Sequence, residues 1–126
     1  EKGRSSGCSF NSELMNSLGA VYEDCAVKFL KRKGFKILKR NFSVKSGEID
    51  IICMDGNTLV FVEVKGGENY LSSPAYRAGI GKLIKISKVG QIFISMNEGL
   101  KFEEVRIDVV AVDKGMNVEY FPSQRF

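Results

Sequence analysis

Apolar residues along this chain change period several times, and each change marks an element. Met15, Leu18, Tyr22, Cys25 and Phe29 recur at steps of three and four, which predicts an amphipathic helix from about Ser12 to Lys33. Gly34, after a basic last turn, is a good stop for it. A weak alternation from Phe35 to Val44 (Phe35, Ile37, then Phe42, Val44) reads as a first strand. GEIDIICMD and TLVFVEVKG read as two further strands around Gly56-Asn57, a favourable hairpin loop because glycine takes positive φ at no steric cost. Pro74 precedes a second helix, roughly Ala75 to Ser95, although Gly79, Gly81 and Gly90 weaken its propensity. VRIDVVAV, Val105 to Val112, is a strong fourth strand, and Asn117 to Phe121 a short edge strand before Pro122. The order is αβββαβ. A strand–helix–strand crossover makes the third and fourth strands parallel within a mixed sheet.

The hairpin holds the most informative residues. With Gly56-Asn57 as its loop, cross-strand partners have numbers that sum to 113. Asp50 is then opposite Glu63 and Glu48 opposite Lys65, all on one face. The other face pairs Ile49 with Val64, Ile51 with Val62 and Cys53 with Val60. A three-residue loop would separate Asp50 from Glu63, so the reading depends on the turn. Two carboxylates about 5 Å apart repel by roughly 3 kcal/mol at an effective dielectric near 20. A divalent cation reverses that sign. Mg²⁺ suits the pair, with Mn²⁺ as a substitute, because it takes one or two carboxylates and leaves positions for water and phosphate oxygens. The plainer alternative is a pair of solvated strand-end acids, and Glu-x-Lys alone arises about once by chance in such a chain. Both strands are too apolar for exposed edges, which favours the metal site.

Composition narrows the function further. The 126 residues suit one domain, taken as 12–126, and the small, polar EKGRSSGCSF opening is set aside as a disordered leader or remnant, 1–11. No apolar run approaches the roughly 18 residues of a membrane span, and no signal-peptide core is present. Cys8, Cys25 and Cys53 are an odd set with no C-x-x-C pair. Cys25 and Cys53 fall on apolar faces, which points to buried free thiols in a reducing cytoplasm. The chain has no histidine, which excludes Ser-His-Asp and Cys-His catalysis and histidine zinc sites. Neither a phosphate loop nor a dinucleotide fingerprint appears. Hydrolysis here must therefore use carboxylates, lysine and a metal. The net charge is only +4, but Lys28 to Lys45 holds eight basic residues and no acid. Asn69 to Asn97 holds Arg77, Lys82, Lys85 and Lys88, again with no acid. A polyanionic partner follows.

An αβββαβ order with an acid on strand two and Glu-x-Lys on strand three resembles the PD-(D/E)XK nuclease superfamily. More narrowly, the chain resembles the YraN family of small bacterial proteins, which look like Holliday-junction resolvases. The resemblance runs from about Leu18 to Phe126. It is carried by Gly19-x-x-x-Glu23, Gly34, Arg40-Asn41, GEIDII, VFVEVK, Lys82 and Arg106-Ile107-Asp108-Val109-Val110. It implies a restriction-endonuclease-like α/β core with a mixed central sheet flanked by helices. Asp50 and Glu63 would ligate Mg²⁺ with the Val64 carbonyl, and Lys65 would orient the attacking water. Glu23 is a candidate third carboxylate from the first helix. Arg40, Lys82 and Lys85 would contact backbone phosphates.

The implied activity is metal-dependent hydrolysis of phosphodiester bonds in structured or branched DNA, and a two-fold-symmetric junction would suit a homodimer. One departure stands out: the family usually has an arginine two residues after the motif lysine, and here Gly67 stands there. That supports a second reading, a nucleic-acid-binding adaptor that cleaves weakly or not at all. A protein-interaction module would leave Asp50 and Glu63 unexplained. Asp108 is expected as a structural tether to Arg106 or Lys82. The aromatic residues, including Phe29, Phe61 and Phe93, are expected in the core.

Overall fold

The computed structural model describes residues 12–67 and 80–124, with side chains from 18 and 81 onwards in the two segments. The leader and the start of the second helix before Ile80 lie outside the described residues. The first helix, α1, spans Ser12–Arg32 and ends as its sequence requires. Gly34 takes φ 95°, its N–H donates to Lys31 O at 2.9 Å, and the Phe35 N–H reaches back to Leu30 O at 3.0 Å. That pair of bonds is a Schellman motif, which satisfies carbonyls the helix end would leave open.

Three strands follow: β1 (Lys36–Val44), β2 (Gly47–Asp55) and β3 (Thr58–Gly66). Helix α2 (Ile80–Met96), β4 (Glu104–Val112) and β5 (Val118–Phe121) complete the chain. The sheet order is β1-β2-β3-β4-β5, with β3 and β4 parallel and every other pair antiparallel. A mixed sheet with a helix on each face was the expected arrangement, and it is the one found. Helix α1 covers one face through Ala26, Val27 and Leu30 on Ile51, Cys53, Val60 and Val62. Helix α2 covers the other through Leu83, Ile86 and Val89 on Ile49, Ile52, Leu59 and Phe61. Phe61 and Phe93 are buried as expected, and Phe29 is half-buried against Tyr120 with ring centroids 5.6 Å apart. Both sheet faces are covered, so the apolar runs of β2 and β3 need not alternate with polar residues.

The hairpin has the expected loop. Gly56 takes φ 61° ahead of Asn57, and Ile51 pairs with Val62, Cys53 with Val60 and Asp55 with Thr58. The predicted register therefore holds up to Ile51, and there the β2–β3 ladder ends. Ile49 does not face Val64. It lies on the α2 side with Ile52, whereas Ile51 and Cys53 lie on the α1 side. The reason is in β1, which stays paired with β2 through Phe42 and Ile49. Asn41 takes φ 53°, a left-handed conformation that asparagine tolerates, and Arg40 and Phe42 consequently face opposite sides. Strand β2 changes phase with it at Asp50, so period-two counting fails across that one position.

Candidate metal centre

The phase change places Asp50 where β2 leaves β3. Its side chain replaces the missing rung: Asp50 Oδ2 accepts the Val64 N–H at 2.8 Å. A carboxylate that accepts from a neighbouring strand's backbone lies close to the plane of the sheet rather than above one face. Asp50 opens onto a cavity of about 560 Å³ on the α1 side, lined also by Gly19, Tyr22, Glu23, Arg40 and Glu48. Burial pushes its carboxyl up to about 6, and the charges of Glu63, Glu23 and Glu48 push the same way against the lowering effect of the Val64 bond. An acid so placed is short of a cation.

Glu63 is not stacked directly over Asp50 as the simple register implied. It sits on the face of β3 shared with Leu59 and Phe61, and its Oε2 pairs with Lys82 Nζ of α2 at 3.2 Å. Glu63 therefore lies on the α2 side of the split, outside the cavity that Asp50 lines, near enough for its charge to act on Asp50. Lys65 lies two residues further along β3 on the Glu63 side and is half-buried.

Glu23 reaches the same cavity from α1, and only 10% of its side chain is exposed. Its Oε1 accepts Arg40 Nε at 3.1 Å, a second Arg40 nitrogen at 2.9 Å and Asn41 Nδ2 at 3.0 Å. Arg40 also bonds Asp24 at 2.6 Å. Sequence reasoning named Glu23 as a metal ligand and Arg40 as a phosphate contact without seeing that each is the other's partner. The juxtaposed Gly19-x-x-x-Glu23 and Arg40-Asn41 were the available signal. Among the described residues, no three acidic or thiol side chains converge on one point closely enough to hold an ion by themselves.

The remaining candidates sort plainly. Lys85 is exposed on α2, outside the cavity. Cys53 is fully buried and its thiol is pushed up to about 12 by burial, so it is an inert core residue. Cys25 is a free thiol but only half-buried, with its Sγ 3.9 Å from the Met116 carbonyl oxygen. Asp108 is the tether it was expected to be. Fully buried, it accepts two bonds from Arg106 at 2.9 and 3.1 Å, the Tyr120 hydroxyl at 2.6 Å and the Ser123 N–H at 2.9 Å. No described helix is long and apolar enough to cross a membrane.

The comparisons with known proteins meet the chain at these elements. The model described as "Uncharacterised protein family UPF0102" matches residues 22–112, from Tyr22 on α1 to the end of β4. The chain belongs to the UPF0102 family. A UPF0102 protein of Petrotoga mobilis is 45% identical over 111 residues, covering 88% of this chain and 99% of that one. One from Dictyoglomus turgidum is 38% identical, over 84% of this chain and 94% of its own. This is the family that the YraN resemblance indicated. Among solved structures, Pyrococcus furiosus SfsA in complex with Ca²⁺ aligns over 89% of this chain and 64% of its own, at 13% identity and a TM-score of 0.30. The UPF0102 match covers α1 from Tyr22 onwards, both halves of the sheet split and the Asp108 tether.

Proposed function

We propose that this UPF0102 protein is a metal-dependent phosphodiesterase of the endonuclease type, acting in the cytoplasm on structured or branched DNA. The observation that carries the reading is Asp50, a desolvated carboxylate beside three other acids at a break in the sheet. Burial, and after it the charges of these neighbours, raise this carboxyl to about 6, and a divalent cation bound beside it would offset both.

The donor set fits Mg²⁺, which needs only one or two carboxylates and completes its shell with water and phosphate oxygens. Asp50 and Glu63 would hold it, with the Val64 carbonyl as a further oxygen and Glu23 behind them. The chemistry supplied by bound Mg²⁺, or Mn²⁺, is Lewis-acid polarisation of a phosphoryl oxygen and acidification of a water. The protein's own groups do the rest. Val64 N–H fixes one oxygen of Asp50 and leaves the other to the ion. Lys65, beside Glu63, orients the attacking water and offsets charge developing on the phosphate. Lys82, paired with Glu63, would be released toward a phosphate when Glu63 takes the cation. Arg40 offers the cavity a guanidinium already aligned by Glu23 and Asp24.

Gly67 favours the second reading, a nucleic-acid-binding adaptor that cleaves poorly. Its φ is 98°, a conformation that would strain an arginine side chain's backbone at this position. A cleavage screen on duplex, flap and four-way-junction DNA with Mg²⁺ and Mn²⁺ separates the two. The expected result is metal-dependent strand cleavage that is lost in Asp50→Asn and Lys65→Ala. Tight binding with no cleavage of any substrate leaves the adaptor.

A further inference from the structure

Two of the cations beside the carboxylates are already paired: Arg40 with Glu23 and Asp24, Lys82 with Glu63. A different set is available along the β1 edge of the sheet. The Asp24–Arg40 ion pair identifies the flank of α1 that overlooks β1. Lys28 and Lys31 lie four and seven residues after Asp24, on that same flank, and both are exposed. Strand β1 adds exposed Lys36 and Lys39, which pair with Met54 and Ile52 of β2 and therefore face the α2 side. Among the described residues none of these four lysines takes part in an ion pair.

We propose that this edge is a nucleic-acid-gripping rim: Lys28 and Lys31 on its α1 side and Lys36 and Lys39 on its α2 side straddle β1 and hold the phosphodiester backbone of a duplex arm laid along the edge toward Arg40 and the carboxylate cavity. The inference rests on the proposed nucleic-acid function and specifies where the substrate lies. From Lys36 to Lys39 the strand advances about 10 Å, which spans roughly three phosphates of one strand along a duplex axis. Lysines on an edge strand also deter edge-to-edge pairing, and that alone would account for Lys36 and Lys39. It does not account for Lys28 and Lys31 on the adjacent helix. Among the described residues β1 exposes no large apolar side chain, so the rim has nothing to insert into a lipid surface.

The test is binding of a labelled duplex in chelator across a salt series, which reads phosphate contacts without requiring cleavage. Lys28→Gln/Lys31→Gln/Lys36→Gln/Lys39→Gln should flatten the slope of log affinity against log salt by roughly two to four units. Lys101→Gln/Lys114→Gln, exposed and off the rim, should keep the wild-type slope. Should the fourfold variant melt early, the pairs Lys28/Lys31 and Lys36/Lys39, changed separately, should each give about half the effect. Wild-type binding with an unchanged slope in the rim variants overturns the rim and leaves the nucleic-acid function standing. A wild type that ignores duplex, single strand and junction at low salt overturns the function and the rim together. Capture by phosphatidylserine vesicles in place of nucleic acid overturns the rim as a nucleic-acid surface.

Discussion

Asp50 combines two roles whose costs differ in sign. As a hydrogen-bond acceptor for Val64 it closes the gap between β2 and β3, and as a charge among acids it opposes folding. Its folded pKa of about 6 lies above the ordinary 3.8, so the native state binds its proton more tightly than the unfolded chain does. The stability this proton gives is present below about pH 4 and lost as pH rises through 6. The loss amounts to at most about 3 kcal/mol above neutrality. Asn keeps the acceptor oxygen and removes the charge. In chelator, Asp50→Asn should therefore melt several degrees above wild type at pH 8, the difference shrinking through pH 6 and vanishing near pH 4. Melting curves of both proteins across that range would check it; a variant less stable at pH 8 would mark Asp50 as a purely structural acceptor. Glu23, by contrast, already has its partners in Arg40 and Asn41. Arg40→Ala would leave its nearly buried carboxylate with Asn41 alone and should cost about 2 kcal/mol in denaturant unfolding. Period-two counting singled out Asp50 and Glu63 but set them opposite each other on one face; it could not show Asn41 at φ 53°, which moves Asp50 into the plane of the sheet. Nothing in a run of alternating residues signals a left-handed asparagine on the neighbouring strand.

At the scale of elements, two glycines set how closely the helices approach the sheet. A Cβ on Gly66 would fall within 2.8 Å of Tyr22 Cβ and closer still to the ring, so the end of β3 lies directly under α1. A Cβ on Gly90 of α2 would run into the Phe61 ring, whose Cδ2 would be 2.8 Å away. Gly90→Ala should destabilise the fold by about 1–3 kcal/mol despite alanine's better helix propensity. Gly81→Ala, with open space around it, should be neutral or slightly stabilising. Thermal unfolding of the two variants gives the contrast, and equal effects would remove the close-packing account. Element order, the hairpin loop, the Gly34 stop and the parallel β3–β4 pair were all legible, because each rests on local periodicity or turn chemistry. The glycines of α2 were legible only as weak helix formers. Their use depends on a phenylalanine about thirty residues away in sequence, which spacing within the helix cannot reveal.

For the whole molecule, the UPF0102 chain is a five-stranded sheet whose β2–β3 ladder stops at Ile51, with Asp50 at the gap and, among the described residues, Lys36 and Lys39 of β1 outside any ion pair. The buried Asp108 network, with Arg106 also reaching Asp55 at 3.0 Å, holds the opposite edge and β5 in place. Asp108→Ala should cost about 3 kcal/mol, because Arg106 and the Tyr120 hydroxyl would lose a fully buried partner. It should leave any metal response of the folded protein intact, since it lies outside the site. If Asp50 and Glu63 hold a divalent ion, thermal unfolding at pH 8 with and without Mn²⁺ will show it. Wild type should be stabilised by mass action, by about 2.7 kcal/mol once free metal exceeds its dissociation constant 100-fold. Asp50→Asn should begin more stable and show no such gain. A wild type indifferent to millimolar Mn²⁺ and Mg²⁺, or an Asp50→Asn variant that gains as much from them, would contradict the claim.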